Sequence, residues 1–158
     1  MSTRGMTMVI ERDYASDHEL GFGQDPVALA EKSYVDMYQH HDQYPEFMGV
    51  ELAHWLIENK KITDGARVAS KIVHDMYYES CYLYPSPDDI DHNYTYVIWV
   101  GDINKIHISC YDQYKSKNVF VLTPEKVIER YHNEKMDYTK FDEGETRFPS
   151  ILTSLGYD

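Results

Sequence analysis

Three strand-like runs follow one another between Tyr94 and Leu122, and they constrain the chain more than any other feature. Tyr94–Val100 and Lys105–Tyr111 read as two strands joined by Gly101-Asp102-Ile103-Asn104, the pattern of a hairpin. Ile106, Ile108 and Cys110 share one face of its second strand, and Lys105, His107 and Ser109 share the other. Asn118–Leu122 adds a third run that leads directly into Thr123-Pro124-Glu125, a cap, a first-turn proline and an acidic residue suited to a helix ending near Asn133. Short connections of this kind favour antiparallel or mixed pairing.

Upstream, Gly5–Glu11 reads as a first strand with Met6, Met8 and Ile10 on one face. Arg12–Pro26 reads as a long loop whose Gly21-Phe22-Gly23 lacks the remaining features of a dinucleotide-binding turn. Lys32–His40 alternates as a second strand, with Tyr34, Asp36 and Tyr38 opposite Val35 and Met37. Pro45 and Glu46 suit the first turn of a helix whose apolar residues at 47, 48, 50, 52, 53, 55, 56 and 57 make a wide buried stripe. Thr63 or Asp64 caps a second helix over Gly65–Tyr77, with Val68, Ala69, Ile72, Val73 and Met76 inward and Arg67, Lys71, His74 and Asp75 toward water. Cys81–Tyr84 is a short strand closed by Pro85-Ser86-Pro87. The order predicts an α+β fold: an antiparallel or mixed sheet of about five to six strands with about two to three helices packed on one face. Residues 1–135 form one domain, and residues 136–158 form a polar tail in which Phe148, Ile151, Leu152 and Leu155 suit a short docking helix.

Composition bounds the function. Fifteen Lys and Arg against 27 Asp and Glu give a formal charge of −12, which opposes direct binding to a phosphate backbone. No apolar run reaches the ~20 residues of a membrane span and no signal-like segment opens the chain, so a cytoplasmic setting is expected. Two cysteines, Cys81 and Cys110, are too few for a disulfide scaffold or a four-cysteine zinc site. Fifteen tyrosines stand out, since a ring with a polar tip serves half-buried strands and binding surfaces alike.

Two clusters carry candidate chemistry. His40, His41 and Asp42 sit where a strand gives way to a helix, followed by Tyr44 and Glu46. Extended backbone points His40 and Asp42 to one side, a spacing open to turn hydrogen bonding, to metal ligation with His54 turning back, or to partner contact. Asp88, Asp89, Asp91 and His92 form an acidic loop that lacks the ligand spacing, central glycine and closing glutamate of an EF-hand. Cys110 shares an apolar strand face and reads as inert, while Cys81 lies at a strand start open to exposure. The nucleophile elbow, the zinc-protease helix and the P-loop are absent from the sequence.

The segment Tyr38-Gln39-His40-His41-Asp42-Gln43-Tyr44-Pro45-Glu46 resembles the Tyr-x-His-x-Asp-Gly-Tyr-Pro-Glu core of an uncharacterised family of small phage and prophage proteins, with Gln43 in place of the glycine. Gly65-Ala66-Arg67-Val68-Ala69, Tyr82-Leu83-Tyr84-Pro85 and Thr123-Pro124-Glu125-Lys126 are similar to later segments of such proteins. The resemblance implies a phage-type accessory protein acting in host cytoplasm and implies no reaction.

Together these features point to a non-enzymatic protein that binds and inhibits a host protein or defence complex through an acidic, tyrosine-rich surface, as a mimic of nucleic acid. Its contacts are expected at His40, His41, Asp42, Tyr44 and Glu46 and at Asp88, Asp89, Asp91 and His92, with no cofactor and no metal ion. The alternative is a small metal-assisted hydrolase or nucleotide-processing enzyme using His40, Asp42 and His92 or His107. A homodimer joined through Tyr94, Tyr96 and Trp99 is a third expectation.

Overall fold

The computed structural model describes residues 3–11, 24–101 and 106–132. The predicted loop residues 12–23, the hairpin turn at 102–105 and the tail after His132 lie outside them. Strands β1 (Gly5–Glu11), β2 (Ser33–Gln39), β3 (Cys81–Leu83), β4 (Tyr94–Val100), β5 (His107–Asp112) and β6 (Lys117–Leu122) form one mixed sheet in the order β3-β2-β1-β4-β5-β6. Helices α1 (Val50–Glu58), α2 (Gly65–Met76) and α3 (Pro124–His132) complete the α+β architecture.

β1 and β4 run parallel at the centre, and the other neighbouring strands pair antiparallel. A strand with neighbours on both sides and cover on both faces has no solvent side, which explains the near-continuous apolar runs Met-Thr-Met-Val-Ile and Tyr-Val-Ile-Trp-Val. The main core lies under the helices, where Val9, Met37, Tyr96, Ile98, Ile108, Cys110 and Phe120 meet Leu52, Trp55, Val68, Ile72, Met76 and Val127. Met6, Met8 and Ile10 share a face as expected, but it is the opposite one. There they join Tyr38, Val97 and Trp99 in a second core covered by Leu29, Tyr84 and Ile90. Helices α1 to α3 therefore occupy one face, while the other is closed by a 3-10 segment over Pro26–Lys32 and by the chain after β3. That 3-10 segment carries none of the spacing of an α-helix and is absent from the sequence reading. Asp25 opens it by accepting the Val27 N–H.

The helix starts follow their local chemistry. Pro45 opens a π-helical turn over Pro45–Gly49 that passes into α1, and Gly49 lies so close to β6 that a Cβ there would sit 3.1 Å from the Phe120 ring. Asp64, not Thr63, caps α2 by accepting the Ala66 N–H at 2.9 Å. Asp75 departs from its predicted exposure: it accepts from the Trp55 indole at 2.7 Å and from Lys71 at 2.8 Å, tying α2 to α1. Tyr96 and Trp99 are buried on opposite faces of β4 and Tyr94 is half-buried, so these three do not form the outward face that the dimer expectation required. Their burial follows from the central position of β4.

Candidate functional site

The turn after β2 is held from below. Asp42 takes the left-handed conformation at φ 57°, so the strained position of the turn falls on Asp42 and not on Gln43. Gln43 instead enters the core, fully buried. Its N–H donates to the Thr3 carbonyl at 3.2 Å, its side-chain amide donates to the His41 carbonyl at 3.0 Å, and its own carbonyl accepts the Tyr96 hydroxyl at 2.5 Å. The side chain lies over Gly5, where a Cβ would come within 2.7 Å of Gln43 Oε1. The glycine in β1 therefore makes the room that the glutamine fills.

This anchoring sends the turn across the end of the sheet, and its residues divide between the two faces. On the face away from the helices, His40 Nδ1 lies 3.1 Å from the Tyr38 hydroxyl. The His40 ring meets Tyr38 edge-on at 4.9 Å and Tyr82 at 5.1 Å, and Tyr38 meets Tyr84 at 5.7 Å. Arg4 borders this group of rings. Its guanidinium binds Asp91 at 3.3 Å and sits beside Tyr114 and Tyr38, with Tyr114 the main cause of its raised pKa. Burial raises the Tyr38 pKa while Arg4 works against it. His40 and Asp91, from separate clusters in the sequence, thus belong to one patch. His41 and Asp42 are exposed beside it, the His41 ring 5.9 Å from that of His40.

Tyr44 and Glu46 lead to the helix side, where both act electrostatically on half-buried Tyr94, behind burial and Asp112 as causes of its raised pKa. Of the residues 40–46 expected to make contacts, His40 and Glu46 thus lie on either side of the buried anchor at Gln43.

In the acidic loop, Asp88 and Asp89 are exposed in a 3-10 turn closed by a capping box, in which Ser86 accepts the Asp88 N–H and Asp89 accepts the Ser86 N–H. Asp89 also raises the pKa of Asp36, a β2 carboxyl that burial pushes up to about 6. His92 points inward, away from the exposed part of the loop. It is buried, with Nδ1 2.9 Å from the Ile90 carbonyl and Nε2 2.7 Å from Thr95 Oγ1. A carbonyl only accepts, so Nδ1 carries the proton, and the lowered pKa that burial gives His92 agrees with a neutral ring. Thr95 accepts in turn from Gln113, which also donates to Asp25. His92 is a structural link between β4 and the 3-10 segment.

Among the described residues, the histidines singled out as metal ligands do not gather. His54 is buried in α1, where desolvation lowers its pKa, and His92 is engaged as above. Among the described residues no group of three or more His, Cys, Asp or Glu side chains could hold a metal ion. Cys110 is buried against Tyr96 and its thiol pKa is driven upward by desolvation; Cys81 is half-buried and shifted the same way. Neither has the lowered pKa of an activated thiol.

Sequence reasoning missed Arg4, Tyr38, Tyr82, Tyr84 and Tyr114 as members of the patch. Arg4 joins it through the parallel pairing of β1 with β4, where Arg4 N–H donates to Asn93 Oδ1 at 3.0 Å. That contact spans 89 positions and leaves no local signal. The tyrosines carry one: their period-two spacing in Tyr38-Gln39-His40 and Tyr82-Leu83-Tyr84 puts matching rings on one side of paired strands. No family model, curated protein or solved structure matches the chain. Among the described residues, no helix is long and apolar enough to cross a membrane.

Proposed function

We propose that the protein works by binding rather than by turnover: it docks on a positively charged host protein, of the kind that grips nucleic acid, and inhibits it. The observation that carries this reading is the patch around Arg4, where the Tyr38–His40–Tyr82–Tyr84 rings lie beside Asp91, with exposed Asp88 and Asp89 in the same loop and Asp89 near Asp36 of β2. Rings beside carboxylates suit lysine and arginine, which gain from ion pairing and from lying over an aromatic face. The charge of −12 steers a basic partner toward the molecule, and the aromatic group anchors it once docked. The sole cation placed in this patch by the contacts above, Arg4, is already paired with Asp91, leaving Asp88 and Asp89 to face a partner.

The test is affinity capture from host lysate followed by a salt series on the purified pair. The expected result is one basic protein whose affinity falls steeply as salt rises through the range where the Debye length drops from about 10 Å to about 3 Å. His40→Ala and the combined Asp88→Asn, Asp89→Asn, Asp91→Asn variant each weaken binding by about tenfold or more while the melting temperature holds. A complex that is indifferent to salt and to these substitutions, or turnover of a small molecule abolished by Asp42→Ala, refutes the reading.

A further inference from the structure

The two edges of the sheet are finished differently. At β6, Arg130 reaches from α3 to donate to the Val119 carbonyl at 3.2 Å, and exposed Lys117 opens the strand, both of which discourage another chain from adding there. At β3 the strand itself carries no charge. Leu83 is 57% exposed and Tyr82 48%, and Tyr78, just before the strand, is 89% exposed. Ser80, left-handed at φ 54°, sets the direction in which the chain enters the strand.

The register shows which backbone groups point outward. Tyr82 pairs with Tyr38, and the Tyr84 N–H donates to the Asp36 carbonyl, so residues 82 and 84 bond inward to β2. Cys81 and Leu83 alternate with them and turn their N–H and C=O groups away from the sheet. Tyr82 and Tyr84 stand on the face with Tyr38 and His40, while Leu83 stands on the other. Beside this edge lies Asp89, close enough to Asp36 to raise its pKa, with exposed Asp88 next to it.

We propose that β3 is a docking edge that takes an extended, positively charged peptide segment of the partner protein as a seventh strand on the six-stranded sheet. The proposal rests on the binding reading above and assigns it a geometry. Backbone hydrogen bonds to Cys81 and Leu83 supply register. Basic side chains on one face of the added strand reach the tyrosine rings and Asp88 and Asp89, and apolar ones on the other cover Leu83. A second copy of this chain meets the same edge with its own charge of −12 and is disfavoured by it.

The experiment measures binding of the full chain to a blocked peptide of alternating valine and lysine, to its twin N-methylated at every second residue, and to a valine–glutamate peptide. The expected result is a micromolar Kd for the first, loss of about tenfold or more for the second, and no binding of the third up to about 1 mM. Leu83→Pro deletes an outward N–H that β2 does not use, and it weakens the first peptide by a similar factor. Leu83→Lys keeps the backbone but guards the edge, and it weakens the same peptide. If Leu83→Pro fails to fold, the methylated twin decides the matter on unaltered protein. Equal binding of the two lysine peptides overturns strand addition while leaving an electrostatic, aromatic contact standing. Salt-independent binding sinks the binding reading itself. Absence of binding by the lysine peptide up to about 1 mM, or concentration-dependent protection of the Leu83 amide without peptide, which marks a second copy at this edge, overturns the proposal.

Discussion

Gly5 and Gln43 act as a matched pair: the missing Cβ of one is the space taken by the side chain of the other. Gly5→Ala alone is expected to cost about 1–3 kcal/mol in chemical unfolding, because the collision is with a fully buried side chain whose Nε2 is held by the His41 carbonyl. Combined with Gln43→Ala, the same substitution costs much less, and a double-mutant cycle reads the difference. Asp36 offers a second residue-scale test. Burial raises its pKa to about 6, so the folded state holds the proton more tightly than the unfolded chain does. Its contribution to stability is therefore present at low pH and is lost as pH rises through about 6. Asp36→Asn removes that penalty, and unfolding free energy is expected to rise by about 1–2 kcal/mol at slightly alkaline pH, by less as pH falls through about 6, and hardly at all below the ordinary carboxylate range near pH 3.

At the scale of elements, the join between α1 and α2 depends on Asp75. Burial alone would raise its pKa, but hydrogen bonds from Lys71, Trp55 and His74 outweigh it and lower the value. That stabilisation is present at neutral pH and is lost as acid protonates the carboxylate. Asp75→Ala is expected to destabilise by about 1–2 kcal/mol and to shift the Trp55 fluorescence, which a near-neutral unfolding titration measures. The elements themselves were largely legible, because α2 and β5 obey periods of 3.6 and two and β4 is a short apolar run bounded by turn residues, all of which a single sequence displays. What could not be read was which strands meet. Met6, Met8 and Ile10 look alike whichever face is the main core, and only the pairing of β1 with both β2 and β4 decides that they serve the second one. The same blindness hid the site: His40 and Asp91 were both singled out, but the Arg4 that gathers them belongs to a third segment. His92 looked like part of an acidic surface because its burial depends on Thr95, three residues further into a strand.

For the molecule as a whole, the charge of −12 works in opposite directions on folding and on binding. Added salt screens self-repulsion, so the melting temperature is expected to rise between low and about 0.5 M salt. Affinity for a basic partner falls over the same range, and the two trends measured on one sample separate a charged docking surface from a general salt effect. The parallel contact of β1 with β4 has a consequence of its own. During synthesis Gly5–Glu11 leaves the ribosome long before Tyr94–Val100, the neighbour it needs, so an apolar segment must wait without its mate while most of the polypeptide is still being made. Nascent molecules are therefore vulnerable in a way that finished ones are not, and a holding chaperone or rapid translation through the intervening codons should improve the yield of native product.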